Sequence, residues 1–164
     1  MQLLAFPINL SKEEAVSSLN ERAPEVSISG IKYVYYPYLY AKLLVSFQAK
    51  TMGKEINEEV MCMVDMVNGK EALTEKVIEL QKLNVDEKYS IPVNISYEEA
   101  KEKAVSYISH FAAERLKIMS IPKVSFIEGI LAYKLFWFIS CNWRQSEFNL
   151  IMDSVNGQFH SCYI

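Results

Sequence analysis

Asp65 and Asp153 are the polar residues whose setting recurs most closely. Asp65-Met66-Val67-Asn68-Gly69 and Asp153-Ser154-Val155-Asn156-Gly157 share the pattern D-x-V-N-G. An aspartate so placed can ligate a cation or face a partner as an acid. It can also accept backbone amides of its own turn, because its short side chain reaches the chain two residues on. A calcium loop needs several oxygen ligands at alternate positions. Neither segment supplies them, so the turn role is the expectation. Glu13/Glu14 and Glu98/Glu99 are two pairs of neighbouring carboxylates. Adjacent helix residues do not face each other, which argues against shared acid–base work. Acids at a helix start satisfy free amides and complement the helix dipole instead.

His110 and His160 each lack a second His or Cys at zinc-ligand spacing. His160 and Cys162 share one face of a predicted strand, about 7 Å apart between Cα atoms by strand rise. A Cys–His nucleophile pair also needs an oxyanion loop, and none is evident beside them. Cys62, Cys141 and Cys162 are odd in number and have no metal spacing, so they read as reduced thiols in partly buried places. A disulfide between Cys141 and Cys162 is not expected. A two-residue Asn156-Gly157 turn pairs Ile151 with Cys162, while the preceding hairpin sets Cys141 opposite Glu147, leaving the thiols roughly 13 Å apart. From these residues no catalytic group, metal or cofactor is expected.

The elements that must carry these side chains are written twice. Ile8-Asn9-Leu10-Ser11-Lys12-Glu13-Glu14-Ala15 returns as Val93-Asn94-Ile95-Ser96-Tyr97-Glu98-Glu99-Ala100, and each copy is followed by its D-x-V-N-G phrase. Ser11 with Glu14, and Ser96 with Glu99, form capping boxes. An apolar face follows each: Ala15, Val16, Leu19 and Ala23 in the first copy; Ala100, Ala104, Val105, Ile108, Phe111, Ala112, Leu116 and Met119 in the second. Pro24 and Pro122 stop the two helices.

A long strand with period two comes next in each copy. Tyr33, Tyr35, Leu39, Ala41, Leu43, Val45 and Phe47 take one parity, expected inward; Leu131, Leu135, Trp137 and Ile139 are their counterparts. Lys42-Leu43-Leu44-Val45 aligns with Lys134-Leu135-Phe136-Trp137, an offset of 134 − 42 = 92. Pro37 lacks an amide donor and should lie at an edge or bulge. A returning strand then leads to Asn68-Gly69 or Asn156-Gly157, read as two-residue hairpin turns. Residues 71–85 are ambiguous between helix stripe and strand, with the lean to strand. The fold class expected is α+β: two tandem modules, each one helix followed by an antiparallel meander of about three strands. The boundaries are 1–83, a linker over 84–92, and 93–164.

Opposite parity leaves apolar side chains facing away from the helix. Tyr36, Tyr38, Tyr40 and Leu44 do so in the first copy, with Ile130, Ala132, Phe136 and Phe138 in the second. Such a surface needs cover, either from the other module or from a partner. Tyr36, Tyr38, Tyr40, Leu44, Phe136 and Phe138 are therefore the candidate partner-binding residues.

Net charge is −3, with 9 basic against 11 acidic residues through Leu83 and 8 against 9 beyond. No basic cluster stands ready to neutralise phosphates, so nucleic acid is not an expected ligand. No apolar run approaches the roughly 20 residues of a membrane span. The chain as given reads as cytoplasmic, or extracytoplasmic if a leader was removed.

The order of capped helix, Tyr-rich strand, hairpin and D-x-x-N-G turn resembles the PepSY domain family. The resemblance rests on Ser11 to Ala15, Tyr36-Pro37-Tyr38 and Asp65 to Gly69, and in the second copy on Ser96 to Ala100 and Asp153 to Gly157. It covers nearly the whole chain as two modules. The second copy departs from it in lacking Tyr-Pro-Tyr, with Phe126-Ile127-Glu128 nearby. The resemblance implies a cystatin-like sheet curled over a helix. It also implies restraint of a peptidase, or modulation of a cell-envelope partner, rather than catalysis. The expectation is a non-enzymatic binding or regulatory module with a protein partner or a homodimer. The alternative is a small-ligand or enzymatic cystatin-like pocket, with polar groups converging near His110 or Asp153. A third option is a structural assembly unit.

Overall fold

The computed structural model describes residues 1–48, 53–75, 79–115 and 121–162. Leu116 and Met119 of the expected second apolar face, and three residues of the ambiguous stretch 71–85, lie outside them. In chain order the elements are β1 (Gln2–Ala5), α1 (Lys12–Arg22), β2 (Ser27–Gln48), β3 (Glu55–Asp65), β4 (Glu71–Thr74), β5 (Gln81–Asn84), a 3-10 turn (Glu87–Tyr89), α2 (Tyr97–Arg115), β6 (Lys123–Trp143), β7 (Ser146–Asp153) and β8 (Phe159–Cys162).

Among the described residues strand outweighs helix, 52% to 22%, and their eight strands form one mixed sheet. The expectation of two tandem modules, each with its own antiparallel meander, is corrected on both counts. The sheet is mixed because β1 meets β6 in parallel at Ala5 and Tyr133. The modules are not self-contained because β2 and β6 run for 22 and 21 residues. At about 3.3 Å per residue such a strand far outruns its own helix, which rises only about 1.5 Å per residue. The far half of each long strand, with the hairpin it leads into, lies beyond the reach of the helix that precedes it.

The chain accordingly divides into two compact units of interleaved segments: residues 1–36, 79–91 and 133–164, and residues 37–78 and 92–132. In the first unit, Ala15 and Leu19 of α1 share a core with Tyr133, Leu135, Trp137, Ile139, Cys141 and Met152. The helix of the first copy thus covers the hairpin of the second. In the second unit, Ala100, Ala104, Ile108 and Ala112 of α2 share a core with Leu39, Ala41, Leu43, Val45, Cys62 and Val64. The helix of the second copy covers the hairpin of the first. Sequence explains the permissiveness of the exchange: both helices present apolar residues at i and i+4, and both hairpins present the same alternation.

The local readings are largely as expected. Ser11 caps α1 with a reciprocal box: its hydroxyl accepts from the Glu14 amide at 3.2 Å, and Glu14 accepts the Ser11 amide at 3.4 Å. Ser96 accepts from the Glu99 amide at 3.1 Å. Odd residues of β2 from Tyr35 to Val45 are buried, as are Leu135, Trp137 and Ile139 of β6. Tyr33 and Leu131, both expected inward, are exposed. Val124 and Phe126 pack with the α2 core at even positions, whereas Tyr133 and its successors pack inward at odd ones. Within the first unit, Ile28 and Ile31 of β2 pack on one core from positions of opposite parity, which needs one extra residue between them, the mark of a bulge. Pro37 lies outside both the Tyr35–Ser90 bridge and the β2–β3 ladder, which begins at Tyr38, so neither needs its missing amide.

The described residues of the ambiguous stretch 71–85 include two short strands, β4 on β3 and β5 on β1. The turn from β6 into β7 is tighter than the expected pairing of Cys141 with Glu147 implies. Trp143 pairs with Ser146 across Arg144 and Gln145, whose φ angles are 48° and 65°. Two consecutive positive φ values match the right-handed twist of the flanking strands.

Candidate functional site

Each D-x-V-N-G phrase folds into the same four-residue loop, and the two-residue N-G hairpin expectation is corrected. The Asp65 carboxylate accepts from the amides of Val67 at 2.8 Å and Asn68 at 3.0 Å. Asp153 accepts from Val155 at 2.8 Å and Asn156 at 3.4 Å. Gly69 and Gly157 donate back to the Asp carbonyls at 2.8 Å each. The Asn68 side chain receives the Lys70 amide, and Asn156 that of Gln158, both at 2.9 Å. The aspartate collects the amides that a tight hairpin would have left to solvent, and the loop widens to four residues. Positive φ falls on glycine alone, 79° at Gly69 and 74° at Gly157. The register shifts in consequence: Ile151 faces His160, and Cys162 faces Asn149. Cys141 faces Phe148 rather than Glu147.

These loops receive the heads of the opposite copies. In the first unit the amides of Asn9 and Leu10 donate to the Ser154 carbonyl at 3.1 and 3.0 Å, and the Asn9 side chain donates to the Val155 carbonyl at 3.1 Å. In the second unit the amides of Asn94 and Ile95 donate to the Met66 carbonyl at 2.9 and 3.1 Å, and the Asn94 side chain donates to the Val67 carbonyl at 3.1 Å. The two recurring phrases are thus each other's binding partners, exchanged between copies. Sequence reading gave roles to the serines and glutamates of the head and none to Asn9 or Asn94. Their recurrence at one position was the available signal.

The unit cores carry matching details. Phe6 donates to the Tyr133 carbonyl and Ile91 to that of Tyr35, each at 2.9 Å; Ser154 donates to Leu135 and Met66 to Pro37, at 3.3 and 3.1 Å. These pairs set the long-strand offset at 133 − 35 = 98 rather than 92. Phe136, opposite Asp153, therefore stands where Tyr38 stands opposite Asp65. Lys134-Leu135-Phe136 occupies the place of Tyr36-Pro37-Tyr38. In the first unit Lys134 Nζ pairs with Asp153 Oδ2 at 3.0 Å, with both side chains largely buried. Trp137 donates its indole N–H to the Leu10 carbonyl at 2.9 Å. Ser154 is fully buried, and its hydroxyl has no hydrogen-bond partner; Met66 holds the equivalent place.

The six candidate surface residues divide between the units. In the first, Tyr36, Phe136 and Phe138 are half-buried, and the Tyr36 and Phe136 rings meet edge-on at 6.0 Å. Lys134 Nζ stands 5.8 Å from the Phe136 ring centre. In the second, Tyr38 and Leu44 are half-buried. Tyr40 is only 6% exposed and donates its hydroxyl to the Glu75 carbonyl at 3.1 Å.

His110 is exposed, with Nδ1 2.8 Å from the Ser106 carbonyl of its own helix. Glu13/Glu14 and Glu98/Glu99 occupy the first turns of their helices. Grooves of about 390 and 330 Å³ in the second unit are lined around Phe47 and Phe111 respectively, and neither is lined by His110 or Asp153. Burial pushes the Cys62 thiol up to about 12, with the Glu71 carboxylate adding to the shift. Burial also raises Cys141. Thiols so held are protonated and poor nucleophiles at neutral pH. Among the described residues, no helix is long and apolar enough to cross a membrane, and no group of three His, Cys, Asp or Glu could hold a metal ion.

Comparison with family models, curated proteins and solved structures finds no match.

Proposed function

We propose that this protein is a non-catalytic binding module that holds a protein partner on the sheet face of its first unit turned away from α1. One observation carries the reading. In the first unit Leu135, Trp137 and Ile139 are buried with α1, while the intervening Phe136 and Phe138, with Tyr36, remain partly open on the other side. Aromatic side chains that keep contact area at low entropic cost are the usual anchors of such interfaces. The resemblance to PepSY domains points the partner toward a peptidase or an envelope-associated protein, restrained by occlusion.

The test is cross-linked capture from native extract with wild type and with a Phe136→Thr/Phe138→Thr variant. Threonine keeps strand propensity while removing the rings. The reading predicts that one partner is enriched by wild type and lost at least tenfold by a variant whose circular dichroism is native. Equal capture of that partner by the folded variant overturns it. If the double variant unfolds, Tyr36→Thr alone serves, with the same two outcomes.

A further inference from the structure

Each core is built half from each copy. Neither helix has its own hairpin to cover, and each head docks on the loop of the other copy. The copies are joined covalently at one place. There Ile91 is fixed by its bond to the Tyr35 carbonyl and Asn94 by its bonds to Met66 and Val67. Pro92 and Val93 between them are exposed.

From this we infer that the chain can exchange whole copies with a second molecule of itself. In the exchanged dimer, residues 1–91 of one molecule complete residues 92–164 of the other. Every core contact and every head-to-loop hydrogen bond described above is kept, since each either joins opposite copies or lies within a single one. Only the backbone at Pro92 and Val93 must change. Exchange of identical elements is a low-cost route to dimers, and a short hinge invites it. Intramolecular closure over a short connection corresponds to an effective concentration on the order of millimolar, so chain concentration during folding selects the product. This inference stands independently of the partner-binding reading.

The experiment refolds a mixture of two differently tagged full-length chains from denaturant, at about 1 mM and about 1 µM. At the higher concentration the inference predicts a dimer containing both tags, persisting for hours after dilution because separation must open both cores. At the lower concentration it predicts monomer. A Gly-Ser insertion between Pro92 and Val93 should reduce the dimer fraction at least fivefold with the fold unchanged. Monomer at both concentrations overturns the inference, as does a dimer that dissociates within minutes of dilution or is indifferent to the insertion.

Discussion

Asn94 donates its side-chain amide to the carbonyl of Val67 at 3.1 Å, joining the head of the second copy to the return loop of the first. Asn9 repeats the bond on Val155 at the same distance. Both asparagines are exposed, so each bond contributes at the modest end. Asn9→Ala and Asn94→Ala should each cost about 1 kcal/mol, roughly 2–4 °C in thermal midpoint for a chain of this size. The sites lie in different units, so the double variant should show the sum. Unchanged midpoints would remove the heads from the account of stability.

Asp153 serves two purposes that substitution can separate. Asp153→Asn keeps an oxygen for the Val155 and Asn156 amides but removes the charge facing Lys134. Asp153→Ala removes both and leaves a largely buried ammonium without its carboxylate. Denaturant titration should place the alanine variant about 2–4 kcal/mol below wild type and the asparagine variant between them. Adding Lys134→Met to Asp153→Ala should recover part of the loss. Equal losses for Asn and Ala would mean that the loop amides contribute nothing.

Gly30 and Gly129 lie within the two long strands, yet they should respond oppositely to alanine. A Cβ on Gly129 would stand 2.8 Å from Phe126, 3.0 Å from Leu39 and 3.1 Å from the Tyr97 hydroxyl. Gly129→Ala should cost about 1–3 kcal/mol through overpacking. A Cβ on Gly30 meets nothing within 4 Å. Gly30→Ala should be neutral, or stabilising by about 0.5 kcal/mol through the unfolded chain. Thermal denaturation of the pair checks both signs.

The Cys62 thiol titrates near 12 in the folded chain against 9.0 ordinarily. The unfolded chain releases this proton first, so the folded state holds more protons between the two values. Stability must fall as pH rises from about 9 toward 12. Cys62→Ala should flatten that slope, leaving the contributions of Cys141, Tyr35 and Tyr133, which burial also raises. Native protein at pH 8 should also alkylate at Cys62 far more slowly than unfolded protein. Equal rates would contradict its burial.

Much of the local structure is legible in the residues. Ser11-x-x-Glu14 and Ser96-x-x-Glu99 announce two helix starts, odd–even alternation from Tyr35 to Val45 gives the inward face, and Asp65 and Asp153 announce their loops. The long-strand alignment misses by six residues, 98 against 92, because Lys42-Leu43 and Lys134-Leu135 look alike. Parity survives because both offsets are even. The N-G phrases suggest a tight hairpin only until the preceding aspartate is credited with the amides. Conversely, positive φ at Arg144 and Gln145 carries no glycine to reveal it. The exchange itself is not written in either copy. Two helices with equivalent apolar faces fit two equivalent hairpins in either pairing, and strand length decides between them. The aromatic face shows a similar limit: alternation marks Tyr40 as outward, but not that its hydroxyl is bonded to Glu75 and its ring buried.

Methyl-to-methyl nuclear Overhauser spectroscopy on selectively labelled protein reads the pairing of helices and hairpins directly. The structure predicts cross-peaks from Ala15 and Leu19 to Leu135 and Ile139, and from Ala104 and Ile108 to Leu39 and Leu43. Cross-peaks from Ala15 and Leu19 to Leu39 and Leu43 instead, in monomeric protein, would show each helix on its own hairpin and contradict the exchanged architecture.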